Sequence, residues 1–164
     1  MPVRPEHVTN DDIMSGLYKW ADAPADLEAK ATIVFSGTMN RGALEAQTAL
    51  AARGIGAELW SATSYKRLRE DALTVERWNR LHPTQPQRVA QVTSQLGNAP
   101  GPIVAVTDFM KAVPDQIAPY VSKRFVSLGT DGFGRSDTRE ALRRFFEVDA
   151  ANIEIAILSA LAAD

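Results

Sequence analysis

At 164 residues the chain has the length of one domain, enough to bury about 68–70% of its unfolded surface without covalent staples. Its 45% hydrophobic and 23% charged residues are ordinary globular values, and a net charge of −2 offers no broad attraction to nucleic acid or an anionic membrane. The absence of cysteine excludes disulfides and thiolate chemistry, and with His7 and His82 as the only imidazoles a structural zinc is not expected.

No basic-then-apolar leader opens the chain, and no apolar run approaches the ~20 residues of a membrane span. The sequence therefore reads as a soluble, unexported, cytoplasmic protein. Residues 1–14 carry Pro2, Pro5 and His7, with no apolar period through Asn10, and read as an extended linker arm; residues 15–164 read as a single domain. Leu17 to Trp20 alternates apolar and polar residues ahead of the β-rich Ala31 to Phe35. That pairing predicts a hairpin, with an antiparallel edge strand beside a central one.

A glycine-containing turn, Ser36 to Gly42, follows. Met39, Ala43, Ala46 and Leu50 then recur at helical spacing up to Arg53, with Gly54 just past the end and Asn40 or Thr38 as the cap. The turn lacks both Gly-x-Gly-x-x-Gly and a Lys-Ser/Thr pair, so it does not read as a nucleotide loop. Ala57 to Ala62 is the next strand, and a right-handed crossover makes it parallel to the one before. Ser64 caps a short helix to Leu68, and the mixed charges from Lys66 to Arg80 form a solvated face or interface rim hooked by Trp78 and Leu81. Pro83 ends that segment, because the residue before a proline is pushed out of helical angles. His82, with no nucleophile or second histidine in sequence reach, reads as a capping or packing residue rather than a proton shuttle.

Gln87 to Leu96 predicts a helix with Val89, Val92 and Leu96 on one face, and Ile103 to Thr107 a strand buried on both faces. Phe109 to Ala118 carries Met110, Val113 and Ile117 at helical spacing, in a helix that Pro114 either kinks or begins. Arg124 to Leu128 is the last strand. Leu142, Phe145 and Phe146 are expected over the sheet, and Ala150 to Ala163 forms a final helix with Ile153, Ile157 and Leu161 on one face. Strands alternating with helices predict an α/β fold: three α/β/α layers around a mixed, mostly parallel sheet of about five strands with one antiparallel edge strand.

Between the last strand and the helix after it lies Gly129-Thr130-Asp131-Gly132-Phe133-Gly134-Arg135-Ser136-Asp137. Three glycines in six residues permit positive φ or close backbone approach. Asp137 with Glu140 three residues on reads as a capping box for a helix from Thr138. One reading of the loop is an anion held by backbone amides, helix dipole and Arg135. Asp131 and Asp137 weigh against it and favour a rigid surface loop with Phe133 as the anchor for another subunit or domain. Nothing in the chain forms a catalytic constellation: there is no cysteine, the two histidines are far apart, and no serine sits in a Gly-x-Ser-x-Gly setting.

The run Leu128 to Asp137, with Glu76-Arg77-Trp78-Asn79-Arg80, Leu81-His82-Pro83, Arg139-Glu140 and Phe146 to Ala150, follows Gly16 to Lys19 and Thr107 to Lys111 in a characteristic order. Across nearly the whole chain these motifs resemble the C-terminal, transketolase-like domain of the homodimeric type of pyruvate dehydrogenase decarboxylase component. The resemblance implies a piece of an oxidoreductase whose thiamine diphosphate and Mg²⁺ are bound by two earlier domains absent from this chain. It carries no catalytic, cofactor-binding or metal residue to any position here. The partners it implies are the N-terminal and middle domains of the same enzyme, a second copy in a homodimer, and a dihydrolipoyl acyltransferase. On this reading Asp131, Gly132, Phe133, Gly134, Arg135 and Asp137, with Arg77, Trp78 and His82, are inter-domain or inter-subunit surface. The alternative is a free-standing binding or regulatory module that kept the fold without the chemistry.

Overall fold

The structure, a computed structural model, describes residues 3–163; Met1 and Pro2 of the expected arm lie outside the described residues. The arm is not extended throughout. Thr9 caps a short helix, α1 (Asn10–Ser15), accepting from the Asp12 amide at 3.2 Å while Asp12 Oδ2 accepts from the Thr9 amide at 2.8 Å. That is the reciprocal arrangement of a capping box, and Val8 just before it is buried.

Strand β1 (Leu17–Ala21) precedes β2 (Ala29–Phe35), α2 (Asn40–Ala52), β3 (Gly56–Ala62) and the long α3 (Tyr65–Leu81). Then come α4 (Gln91–Gly97), β4 (Ile103–Val106), the single turn α5 (Ala112–Asp115), β5 (Phe125–Leu128), α6 (Arg139–Phe145) and α7 (Ala150–Leu161). The five strands form one sheet in the order β1-β3-β2-β4-β5, with only the β1–β3 pair antiparallel. A mostly parallel sheet with one antiparallel edge strand is the expected architecture. The hairpin is not. Strand β2 pairs with β3 on one side and β4 on the other, so β1 finds its partner across the crossover, with Leu17 opposite Ala62 and Lys19 opposite Trp60. The Gly16 carbonyl holds that edge in place by accepting from the Thr63 and Ser64 amides.

Residues on the pleated inner strands alternate between two apolar layers. Val34, Ile103 and Ala105 face Leu68 and Ala72 of α3, Val92 and Leu96 of α4, and Ile117. Ile33, Phe35, Val104 and Val106 face Met39, Ala43, Ala46 and Leu50 along α2, and Ile153 and Ile157 of α7. All four residues of β4 are fully buried, as a strand covered on both faces requires. Among the described residues no helix is long and apolar enough to cross a membrane.

Several helix boundaries differ from the sequence expectation. Ser64 caps α3 as expected, accepting from the Arg67 amide, but the helix runs through the whole charged stretch, its buried side on Tyr65, Leu68 and Ala72. Helix α4 begins at Gln91 rather than Gln87, because the Arg88 amide and carbonyl are both claimed by the Asn79 side chain at 2.8 and 2.9 Å. Val89 consequently stays exposed. Pro114 lies inside α5, in its first turn, where the missing N–H would be unpaired anyway; Met110 is exposed instead of sharing a face with Ile117. No side chain caps α2: Thr38 is engaged elsewhere and Asn40 is already its first residue.

The C-terminus of α2 ends as the sequence predicts. Gly54 adopts φ +74°, its amide bonds the Ala51 carbonyl at 2.9 Å, and the Ile55 amide bonds the Leu50 carbonyl at 3.0 Å, the paired bonds of a Schellman motif. A Cβ at Gly54 would meet nothing within 4 Å. Gly54→Ala is therefore expected to lower the unfolding free energy by about 1–2 kcal/mol through backbone conformation alone, measurable as a reduced urea midpoint with an unchanged m-value.

Candidate functional site

The parallel strands β2, β4 and β5 point their carboxyl ends to one edge of the domain. After β2 the chain crosses over one face through α2 to β3; after β4 it crosses the opposite face through α5 to β5. The crossovers diverge between β2 and β4, and in open α/β sheets ligands collect at such a switch point. A groove of about 580 Å³ opens here.

The base of this edge is a set of hydroxyl contacts. Ser36 Oγ donates to Thr107 Oγ1 at 2.8 Å in a buried position, and Thr107 Oγ1 also accepts from the Phe109 amide. Next along, Thr38 Oγ1 donates to Asp108 Oδ2 at 3.1 Å, and Thr130 Oγ1 donates to the Asp108 carbonyl at 2.9 Å. The hydroxyl of Tyr65 is buried and makes no hydrogen bond. Its burial, only weakly opposed by the neighbouring Ser36 hydroxyl, holds the phenol well above the usual tyrosine range.

The glycine loop is bound tightly to the segment after β4. The Thr130 amide bonds the Phe109 carbonyl at 2.8 Å, and Asp131 Oδ1 accepts from the Lys111 amide at 2.9 Å. A Cβ on Gly129 would lie 2.6 Å from the Phe109 carbonyl oxygen, so only glycine permits this approach. Beyond Asp131 the loop turns outward. Gly132 adopts φ +95°, and Phe133 is 96% exposed, so that ring does not fold into the core. Phe109, Met110 and Phe145 are exposed as well.

Cations from the loop and α6 line the groove. Arg143 Nη2 donates to the Thr38 carbonyl at 2.9 Å and to Thr38 Oγ1 at 3.1 Å. The guanidinium carbon of Arg135 sits 3.8 Å from the Phe145 ring centre, and Arg139 also faces the groove. Leu142 and Phe146 form an apolar wall with Met39 and Val148. Leu142, Phe145 and Phe146 thus do not cover the sheet as expected: α6 has no buried residue, and only Phe146 reaches the core edge. The expected cap also shifts by one residue. Thr138, in extended backbone at φ −64°, ψ 154°, accepts from the Ala141 amide, while Asp137 Oδ1 accepts from the Thr138 amide at 2.7 Å. Glu140 then falls outside the third helical position and closes no capping box.

Of the expected surface residues, Gly132, Gly134, Arg135 and Asp137 line this groove, and Asp131 anchors its loop. Arg77, Trp78 and His82 do not line it. Trp78 is sandwiched between His82, stacked at 4.5 Å and 15°, and the Arg88 guanidinium, 3.9 Å from its ring centre. His82 Nδ1 donates to the Trp78 carbonyl at 2.8 Å. This stack pins the chain after α3, the packing role expected of His82. Thr38, Asp108 and Arg143 were missed as members of one site by sequence reasoning, since each follows a different strand and no local pattern brings them together.

Parallel crossovers, one antiparallel edge strand and a ligand-sized groove at the switch point define a doubly wound α/β domain. The sequence matches the family described as Transketolase-like TK C-terminal domain over residues 16–149. It is 42% identical over 99% of its length to the pyruvate dehydrogenase E1 component of Mycolicibacterium smegmatis, and 45% identical over 93% to that of Pseudomonas aeruginosa. The chain belongs to the transketolase-like C-terminal domain family. It spans 18% of the length of each of these two relatives. Among solved structures, transketolase from Leishmania mexicana superposes with a TM-score of 0.62 at 18% identity, over 94% of this chain and 19% of that one, which establishes the shared fold.

The reassigned cap is directly testable. Thr138→Ala is expected to cost about 1 kcal/mol, and Asp137→Ala no more than about 0.5 kcal/mol, by denaturant midpoints.

Proposed function

We propose that this chain serves as the C-terminal association domain of a cytoplasmic, thiamine-diphosphate-dependent pyruvate dehydrogenase. In that enzyme pyruvate is oxidatively decarboxylated and the acetyl group passes to the lipoyl group of a dihydrolipoyl acyltransferase. The chemistry belongs to the remaining domains, and this one packs against them and against a second copy. The observation that carries the reading is the exposed aromatic loop: Phe133 at 96% exposure, with Phe109, Met110 and Phe145 also open to solvent. Large apolar side chains beside Arg135 match the composition of interface anchors better than that of ordinary surface.

The donor set does not fit thiamine diphosphate with Mg²⁺. Such a site offers oxygen ligands to the metal, yet of the groove's carboxylates Asp108 accepts from Thr38 and Asp137 from the Thr138 amide. Arg135, Arg139 and Arg143 stand where a divalent cation would have to approach. No step of the reaction is therefore assigned to this domain.

Two outcomes are expected. Calorimetry with thiamine diphosphate and Mg²⁺ gives no binding in the micromolar range; binding there would overturn the assignment of the chemistry to other domains. Phe133→Ala weakens self-association in sedimentation experiments, or docking onto the remaining domains supplied in trans, and changes the unfolding free energy by no more than about 0.5 kcal/mol. Unchanged association in both assays would sink the anchor.

A further inference from the structure

The association role rests on the exposed aromatic side chains and leaves Arg139 and Arg143 of the switch-point groove unused, and these residues are costly to keep. Arg139 and Arg143 stand one turn apart on α6, a spacing at which like charges repel on a helix. Arg135 brings a third guanidinium to the same groove. Arg139 makes no side-chain hydrogen bond or ion pair among the described residues. Arg143 is held in place by Thr38 through Nη2 alone, which leaves Nε and Nη1 to donate. Arg135 lies against the Phe145 ring, and among the described residues its side chain makes no hydrogen bond, which leaves its N–H groups to donate. The two carboxylates in the groove are each turned toward a donor of the chain itself, Asp108 toward Thr38 and Asp137 toward the Thr138 amide.

We propose that this groove binds a small organic phosphate with hydroxyl groups on its body. The phosphoryl group lies between Arg139 and Arg143, where two planar forks give a dianion parallel, charge-assisted donors. Thr38 and Thr130 cannot donate to it, since both hydroxyl protons are committed around Asp108. Their oxygens, with the carboxylates, instead accept from hydroxyls on the ligand body. Leu142 and Phe146 supply the apolar wall against which that body rests. At about 580 Å³ the groove is far larger than a phosphate ion and falls in the range of small-molecule sites. A body of several carbons is therefore needed to fill it.

The test is calorimetric titration of the 164-residue chain with inorganic phosphate, a phosphorylated sugar and a nucleoside monophosphate, each organic compound paired with its unphosphorylated counterpart. At least one organic phosphate is expected to bind, with its unphosphorylated counterpart silent and inorganic phosphate at least about tenfold weaker. Which of the two binds identifies the body. Arg139→Ala, which removes no internal hydrogen bond or ion pair among the described residues, should weaken that binding by about tenfold or more with the unfolding midpoint unchanged. Arg143→Lys, which keeps the charge without the fork, should weaken it too. The proposal is overturned if neither organic phosphate binds at millimolar concentration, if inorganic phosphate binds as tightly as either, or if Arg139→Ala binds as well as the parent chain.

Discussion

Strand β2 is paired on both sides and covered on both faces, and most of the domain follows from that single constraint. Its backbone is satisfied by two parallel neighbours, and parallel pairing needs crossover connections within the same sheet. With β3 on one side and β4 on the other, the crossovers must leave over opposite faces. The carboxyl ends of β2 and β4 then diverge, and the groove lies between them. The same constraint displaces β1, which has no free edge at β2 and joins the far side of β3 as the one antiparallel strand.

The groove and the exposed loop share a base but differ in physical character. Gly129, Thr130 and Asp131 are bound to the segment after β4 by backbone and side-chain bonds, so the loop leaves the sheet from a rigid start. Past Gly132 it turns outward, and Phe133 projects into solvent. A rigid base under an exposed aromatic tip loses little conformational freedom on association, which favours its use as an anchor. On the inner side, Arg143 reaches back to Thr38 across more than a hundred residues of sequence. The groove therefore joins the segment after β2 to α6.

Much of this was legible from residues alone. The fully apolar Ile103 to Val106 marked an interior strand because a strand shielded on both faces has no polar side to show. Gly54 marked the end of α2 because few other residues enter the left-handed region cheaply. Pro83 marked the end of α3 by steric exclusion. The aromatic loop was legible as surface because Phe133 stands between glycines that cannot shield it. The failures share one cause. Val89 fits a helical face, but Asn79 captures the backbone of the adjacent Arg88, nine residues after it. Asp137 and Thr138 are both competent caps, and the placement of the loop on Phe109 and Lys111, not residue type, decides which one faces the Ala141 amide.

The amino-acid sequence by itself determined the alternation of strands and helices, the α/β layering and the motif order that makes the chain similar to pyruvate dehydrogenase E1 components. Each of these is written in periodicity, special residues or local runs, whose physics acts over a few positions of chain. The tertiary structure alone decided that β1 pairs with β3, that Trp78 stacks between His82 and Arg88, and that Thr38, Asp108 and Arg143 meet beside one groove. Those outcomes depend on which backbone edges remain free after the central strands have paired and on which side chains the crossovers bring to the same end. Such long-range competition leaves no mark in any local window of sequence.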